Sequence, residues 1–381
     1  MKKTMLVAPY LAVAVMLCAS NASAINLLKD EEEHRSLDVG LLLQGQVQVT
    51  KDGAPDASSA STDFFLRRAR IILSGEVLKG LTFFVDTDQP NWGKNGKWDG
   101  AFIVQDAFAS YEVFRELNVD AGMMLIPFTH NGLEGAASLH ALDYHTTLIH
   151  YPPGVGPAFR DAGVQVRGLA FSDRLYYRAG MFEGVRGPGV ATTPAPAPGS
   201  AAAMALNPDG EPRFAAMLRL NILGVEDKFF MKGIYFAESP MLSIGVGYDY
   251  QRHATRIPTG ISNHAGISTD VFFEYPITED DEILAKAALV HYSEGTSSLA
   301  TGTGTFGEVG FRHAWFEPLV GFDYFSTQRS LEDYYAFKGG FNFWLKKHTA
   351  NLKSELAYTV DDRPTTHKRD LIGTLQGQIF F

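Results

Sequence analysis

Alternation of apolar and polar positions runs through most of this chain. From Asp38 the sequence reads DVGLLLQGQVQVT, with Val39, Leu41, Leu43, Gly45, Val47 and Val49 on one face and Gln44, Gln46, Gln48 and Thr50 on the other. A period of two places successive side chains on opposite sides of a β-strand. Both faces extend for about a dozen residues, the length a tilted strand needs to cross a bilayer. Sixteen such runs, bounded by turn signals, lie near 38–50, 62–76, 80–88, 102–113, 117–126, 160–170, 174–183, 211–223, 241–252, 264–275, 282–293, 304–314, 317–326, 334–345, 349–360 and 369–381. An even number lets both ends of the chain lie on one side of a membrane.

Connection lengths alternate as well. Short turns at Val77-Leu78-Lys79, Arg115-Glu116, Ser172-Asp173 and Lys347-His348 separate longer segments at 89–101, 127–159, 184–210 and 361–368. Short turns on one side and long loops on the other are the habit of outer-membrane barrels. The segment 224–240, GVEDKFFMKGIYFAESP, is longer than this rule expects and reads as an irregular turn. The last run, LIGTLQGQIFF, ends on Phe381 and is expected to close the barrel against the first strand. Tyr111, Phe114, Phe128, Tyr248, Tyr250, Tyr275, Trp315, Phe316, Phe343, Trp344 and Phe381 lie near strand ends, where they could form interface girdles. A large soluble β-protein also uses aromatics there. The pattern predicts an all-β fold, a 16-stranded antiparallel transmembrane β-barrel over 38–381.

The first 24 residues change the picture. MKKTMLVAPYLAVAVMLCASNASA carries two lysines, an apolar run and a small-x-small ending, which reads as a secretory signal peptide cleaved after Ala24. Cys18, the sole cysteine, lies in it, so the mature chain has no disulfide. Losing Lys2 and Lys3 takes the formal net charge from −10 to −12, an acidic balance that argues against nucleic-acid binding. Beyond it no apolar run of 18 residues supplies a transmembrane helix. Residues 25–37, INLLKDEEEHRSL, form a short acidic segment expected in the periplasm, and ATTPAPAPGSAAA at 191–203 reads as a flexible external loop.

Three stretches carry a family resemblance: FFLRRARIILSGEVLKGLTFFVDTD at 64–88, VQDAFASYEVFRELNVDAGMMLIPFTHNGL at 104–133 and FRDAGVQVRG at 159–168. They resemble the phosphate-selective porin O and P family, with Phe108 departing from its QDAY motif. The resemblance implies a trimeric sixteen-stranded channel in a Gram-negative outer membrane. The solutes expected from it are small inorganic ions and hydrophilic molecules, with phosphate or other oxyanions favoured in the family.

If the apolar parity faces lipid, the other lines the lumen. Arg68 and Arg70 then point inward, with Arg67 turned to the other side or snorkelling. Arg167, Arg174, Arg178, Arg213 and Arg219 fall on one wall of neighbouring strands, where permanent forked donors could guide oxyanions. Acids share the lumen parity, among them Asp38, Asp86, Asp120, Asp161, Asp249, Asp270, Glu274, Glu308 and Glu355, so a weakly selective channel is the competing reading. The segment 127–159 is expected to fold into the lumen as a constriction. It holds His130, Glu134, His140, Asp143, His145 and His150 but no Lys or Arg, which weakens phosphate selection. Its histidines fit no common metal spacing, and no metal or cofactor is expected.

Catalytic signatures are lacking. GxSxG, HExxH and a phosphate-cradling loop do not occur, and GTGTFGEVG at 302–310 has no following lysine, so its glycines read as bends in a strand. No enzyme is expected. The alternatives are an outer-membrane barrel lipid hydrolase, which would need a Ser/His/acid group at one rim, and a non-conducting structural or adhesive barrel.

Overall fold

A computed structural model describes residues 24–145, 159–186, 206–257, 260–295, 301–328, 333–362 and 368–381. The expected signal peptide, apart from Ala24, and the 191–203 stretch lie outside them. Seventeen strands make one sheet: β1 (Ile25–Asp30), β2 (Arg35–Thr50), β3 (Ser61–Leu78), β4 (Leu81–Asp88), β5 (Ile103–Phe114), β6 (Leu117–Leu125), β7 (Arg160–Ala170), β8 (Leu175–Phe182), β9 (Arg213–Leu223), β10 (Met241–Ile257), β11 (Gly260–Pro276), β12 (Asp281–Ser293), β13 (Gly302–His313), β14 (Phe316–Thr327), β15 (Tyr334–Lys346), β16 (Ala350–Asp361) and β17 (Lys368–Phe380). Among the described residues no helix is long and apolar enough to cross a membrane.

Strands β2 to β17 pair in sequence order, all antiparallel, and β17 returns to β2 from Ile372↔Thr50 to Phe380↔Leu42. The barrel is therefore closed, with sixteen strands, and has no free edge. Its seam is finished at the end of the chain, where Leu41 N–H donates to Phe381 O at 2.8 Å and Phe381 N–H to Leu41 O at 3.1 Å. The segment 25–37 adds a hairpin, with β1 laid along the start of β2.

The outer wall is apolar, as the alternation predicts, with Val246, Tyr248, Ile267, Leu289, Val320 and Phe337 among its exposed side chains. Inward positions carry buried Gln, Asp, Glu, Lys and Arg. A polar interior behind an apolar skin defines a transmembrane barrel. Tyr111, Phe114, Tyr275 and Trp315 are exposed on the outer wall, as girdle residues should be. Phe128 and Trp344 are not: they are 3% and 5% exposed and pack inside.

One departure from strict alternation affects the lumen. The β2–β3 register runs from Gln44↔Arg68 to Gly45↔Leu66, which leaves Arg67 as the extra residue of a bulge. Arg67 therefore faces the same carboxylate as Arg68 instead of turning outward.

Candidate functional site: the barrel lumen

After β6 the chain turns into the barrel. One helical turn, His130–Leu133, is capped by Thr129 Oγ1, which accepts from Gly132 N–H at 3.0 Å. Ser268 on β11 donates to Phe128 O at 2.6 Å, and His130 N–H donates to Asp270 at 3.0 Å. The wall is cleared for this crossing: a Cβ on Gly247 would lie 1.9 Å from Phe128 O, and one on Gly310 would lie 2.6 Å from His140 Nε2.

The loop is fastened by its imidazoles. His130 lies between Glu134 and Glu226 at 2.9 and 2.7 Å. His140 lies between Glu308 and Glu317, each at 2.9 Å. His145 lies 2.8 Å from Glu308 and bonds Asp323 on its other nitrogen. Lys286 joins the group at 2.9 Å from Glu134 and 2.8 Å from Glu308. Burial opposes charge on His140, but Glu317 and Glu308 outweigh it and raise its pKa to about 9. His130 and His145 are raised in the same way, by Glu226 and Asp323 against burial. His140 is thus held as an imidazolium ion at neutral pH, and His130 and His145 are shifted toward the same form.

Further round, Lys353 donates to the carbonyls of Leu139, His140 and Ala141, and Asn342 donates to His140 O at 2.9 Å. Asp143 then accepts from Arg67 and Arg68, each at 2.6 Å. Burial disfavours its charge, yet the two guanidinium groups hold its carboxyl far below the usual range. His150 lies outside the described residues. Among the described residues no group of His, Asp and Glu is arranged to hold a metal ion.

A second segment enters from the opposite end. Residues 224–240, between β9 and β10, meet the loop in a short parallel bridge: Met231 N–H donates to Leu133 O and Gly135 N–H to Met231 O, both at 2.9 Å. Phe229 stacks on Phe108 at 4.2 Å between ring centroids, and Phe230 meets Phe84 at 4.8 Å. The length of this segment and its adjacent phenylalanines were the only sequence signals of the insertion. Glu226, Phe230 and the wall residues Lys286, Glu317, Asp323, Lys338 and Lys353 were not foreseen among the lumen contacts.

The arginines expected to guide anions are placed unequally. Arg68 bonds Gln44 as well as Asp143, and Arg70 lies 3.4 Å from Asp86 and 3.0 Å from Asp88. Arg167 donates to Asp120 and Ser110, both at 3.0 Å, and pairs across the register with Arg178. Arg178 is fully buried, donates to Tyr176 Oη and the carbonyls of Lys228 and Phe229, and lies 4.7 Å from the Phe229 ring centroid. Arg213 is paired with Asp249, and Arg219 with Glu226 at 2.7 Å and Asp270 at 2.5 Å. Arg174 stands apart: it is exposed at the strand end and donates to the carbonyls of Asn221 and Ile222. Arg178 and Arg219 thus hold the inward segment.

Cavities lie at the short-turn end, along β2 to β8. Three adjoining cavities there measure about 460, 450 and 540 Å³. Phe84 and Phe230 border the first two, and Ser110 and Arg167 border the second and third.

The fold and lumen define an outer-membrane β-barrel of the porin type. Solved structures of that type match over nearly the whole chain. The anion-selective porin from Comamonas acidovorans shares 11% identity over 91% of this chain and all of its own, with a TM-score of 0.56. The outer membrane channel DcaP of Acinetobacter baumannii shares 11% over 93% and 99% of the two chains, also with a TM-score of 0.56. The trimer form of OmpT, an outer membrane protein of Vibrio cholerae, shares 11% over 92% of this chain and all of its own, with a TM-score of 0.55. At such identities the likeness is one of fold. No protein-family model and no curated protein matches the chain.

Proposed function

We propose that this protein is a non-enzymatic diffusion channel through which small hydrophilic solutes and ions cross a Gram-negative outer membrane. The observation that carries the proposal is the closed barrel with a polar interior, an inward-folded loop and adjoining free space along β2 to β8. Selection would then come from width and wall charge. Most inward arginines are matched by carboxylates, so the reading is a weak anion preference at most, carried by Arg70 and Arg167, which border that space while paired with Asp86, Asp88 and Asp120. Phosphate in particular gains no support, because Asp143 neutralises Arg67 and Arg68 at the loop. Homotrimer formation would bury part of the outer wall, where a groove of about 530 Å³ lies among Val47, Phe64, Phe341 and Leu356.

Single-channel current across a planar bilayer with a tenfold KCl gradient tests the proposal. Reversal toward the chloride potential is expected, and replacing Arg167, Arg178 and Arg219 by Gln should reduce it chiefly through Arg167. A large current reversing toward potassium would leave a channel without anion preference. A second reading, a non-conducting structural barrel, is favoured by the Leu133–Met231 contact between the two inward segments, and it predicts no current from folded protein.

A further inference from the structure

We infer that the cavity bounded by β2, β3, β4, β17 and Phe230 is a binding site for a small aromatic monocarboxylate, with Lys232 as the group that meets its charge. Binding does not require a conducting pore; only the passage of such a solute rests on the channel reading.

The cavity measures about 460 Å³, within the range of small-molecule sites. Its walls are largely apolar, with Leu42, Ile72, Phe84, Phe230 and Phe380 among the lining residues. The tilted Phe84–Phe230 pair offers an aromatic surface of the kind a planar ring packs against. The charged groups of the cavity are not equivalent. Arg70 is matched by Asp86 and Asp88, and Arg160 by Asp106 at 2.9 Å. Lys232 has no carboxylate partner among the described residues; its ammonium lies 5.7 Å from the centroid of the Tyr235 ring.

Of two further unpartnered polar atoms, one is a donor that favours an anion and the other an acceptor that gives an anion no bond. Arg70 Nε is buried without a partner and offers a donor beside the same space. His348 donates from Nε2 to Ile234 O at 3.0 Å, which leaves Nδ1 a buried, unpartnered acceptor. Burial, with Lys232 and Lys353 nearby, pushes this imidazole down to about 3, so it is neutral at neutral pH. An unmatched cation in an apolar chamber favours an anion whose remaining surface is apolar. Phosphate would leave several oxygens without donors against phenylalanine, which is costly. A carboxylate on an aromatic ring leaves fewer.

The test uses the full chain folded in detergent, titrated calorimetrically with benzoate, acetate, benzyl alcohol and inorganic phosphate. Benzoate should bind about tenfold more tightly than acetate or benzyl alcohol. Lys232→Gln should weaken benzoate about fivefold and leave benzyl alcohol unchanged, and Lys232→Arg should restore benzoate. Lys347→Gln, on the neighbouring turn, should change nothing. If Lys232→Gln does not fold, added KCl on the unaltered chain provides the same reading, because it should weaken benzoate and spare benzyl alcohol. Benzoate bound no better than acetate, phosphate bound better than benzoate, or a benzoate affinity insensitive to both Lys232 and salt would overturn the site. Benzoate binding without current would keep the site and remove the channel. Current without benzoate binding would do the reverse.

Discussion

On the β10–β14 side of the lumen, acids of the wall reach across to imidazoles of the inward loop, whereas along β3–β7 Arg70, Arg160 and Arg167 pair with acids of the wall itself. The chemistry is the same on both sides, buried cation against carboxylate. Its consequence differs because the partner belongs to a different element. Pairs that bridge wall and loop hold the loop and fill that half of the barrel. Pairs within the wall neutralise it and leave room beside it. A cluster of lumen arginines is therefore no measure of a pore's charge until its partners are known.

The sharpest way to break this comparison is to remove a shared acid on the filled side. Glu308→Ala takes one carboxylate partner from each of His140, His145 and Lys286, which keep only Glu317, Asp323 and Glu134, and should lower stability to urea unfolding in detergent by about 3 kcal/mol or more. Arg167→Ala on the open side should cost about 1–3 kcal/mol, since it strands only one carboxylate. Equal losses would erase the distinction. Phe230→Ala should cost about 3 kcal/mol and raise single-channel conductance by joining the first two cavities. An unchanged conductance would mean that ions do not pass that way.

Asp143→Asn should act mainly on selectivity. It releases Arg67 and Arg68 and should move the reversal potential toward chloride, with about 1 kcal/mol of stability lost. Alkaline pH tests the loop alone. Because His130, His140 and His145 are raised in the folded protein, their stabilisation is full below about pH 6.5 and is lost as pH rises through their folded values, about 9 for His140. Amide hydrogen exchange in 126–145 should accelerate between pH 8 and about 10 after correction for intrinsic rates. Asp143 acts in the opposite sense, since its depressed carboxyl contributes above the ordinary Asp range and loses that contribution in acid. At the small end, Arg174→Gln should change stability by less than about 0.5 kcal/mol, because its side chain is exposed and donates only to carbonyls at a strand end.

Sequence alone determined the sixteen barrel strands, their antiparallel order, the apolar skin and the closure of the last strand on the first, because a period of two is a local property and each run carries it independently. Parity also turned Arg68, Arg70, Arg167, Arg178, Arg213 and Arg219 inward, but it placed Arg174 on the lumen wall where the structure leaves it exposed at a strand end. It could not tell what they would meet. His140 finds Glu308 and Glu317 from more than 160 residues away, and Met231 finds Leu133 across the lumen from the opposite end. Arg67 was misread because a single bulge residue shifts the parity of the strand, and Phe128 and Trp344 because proximity to a strand end does not specify a face. Tertiary structure decided those contacts, because a buried charge is settled by whatever group reaches it in space, and the alternation of a strand says nothing about the far wall.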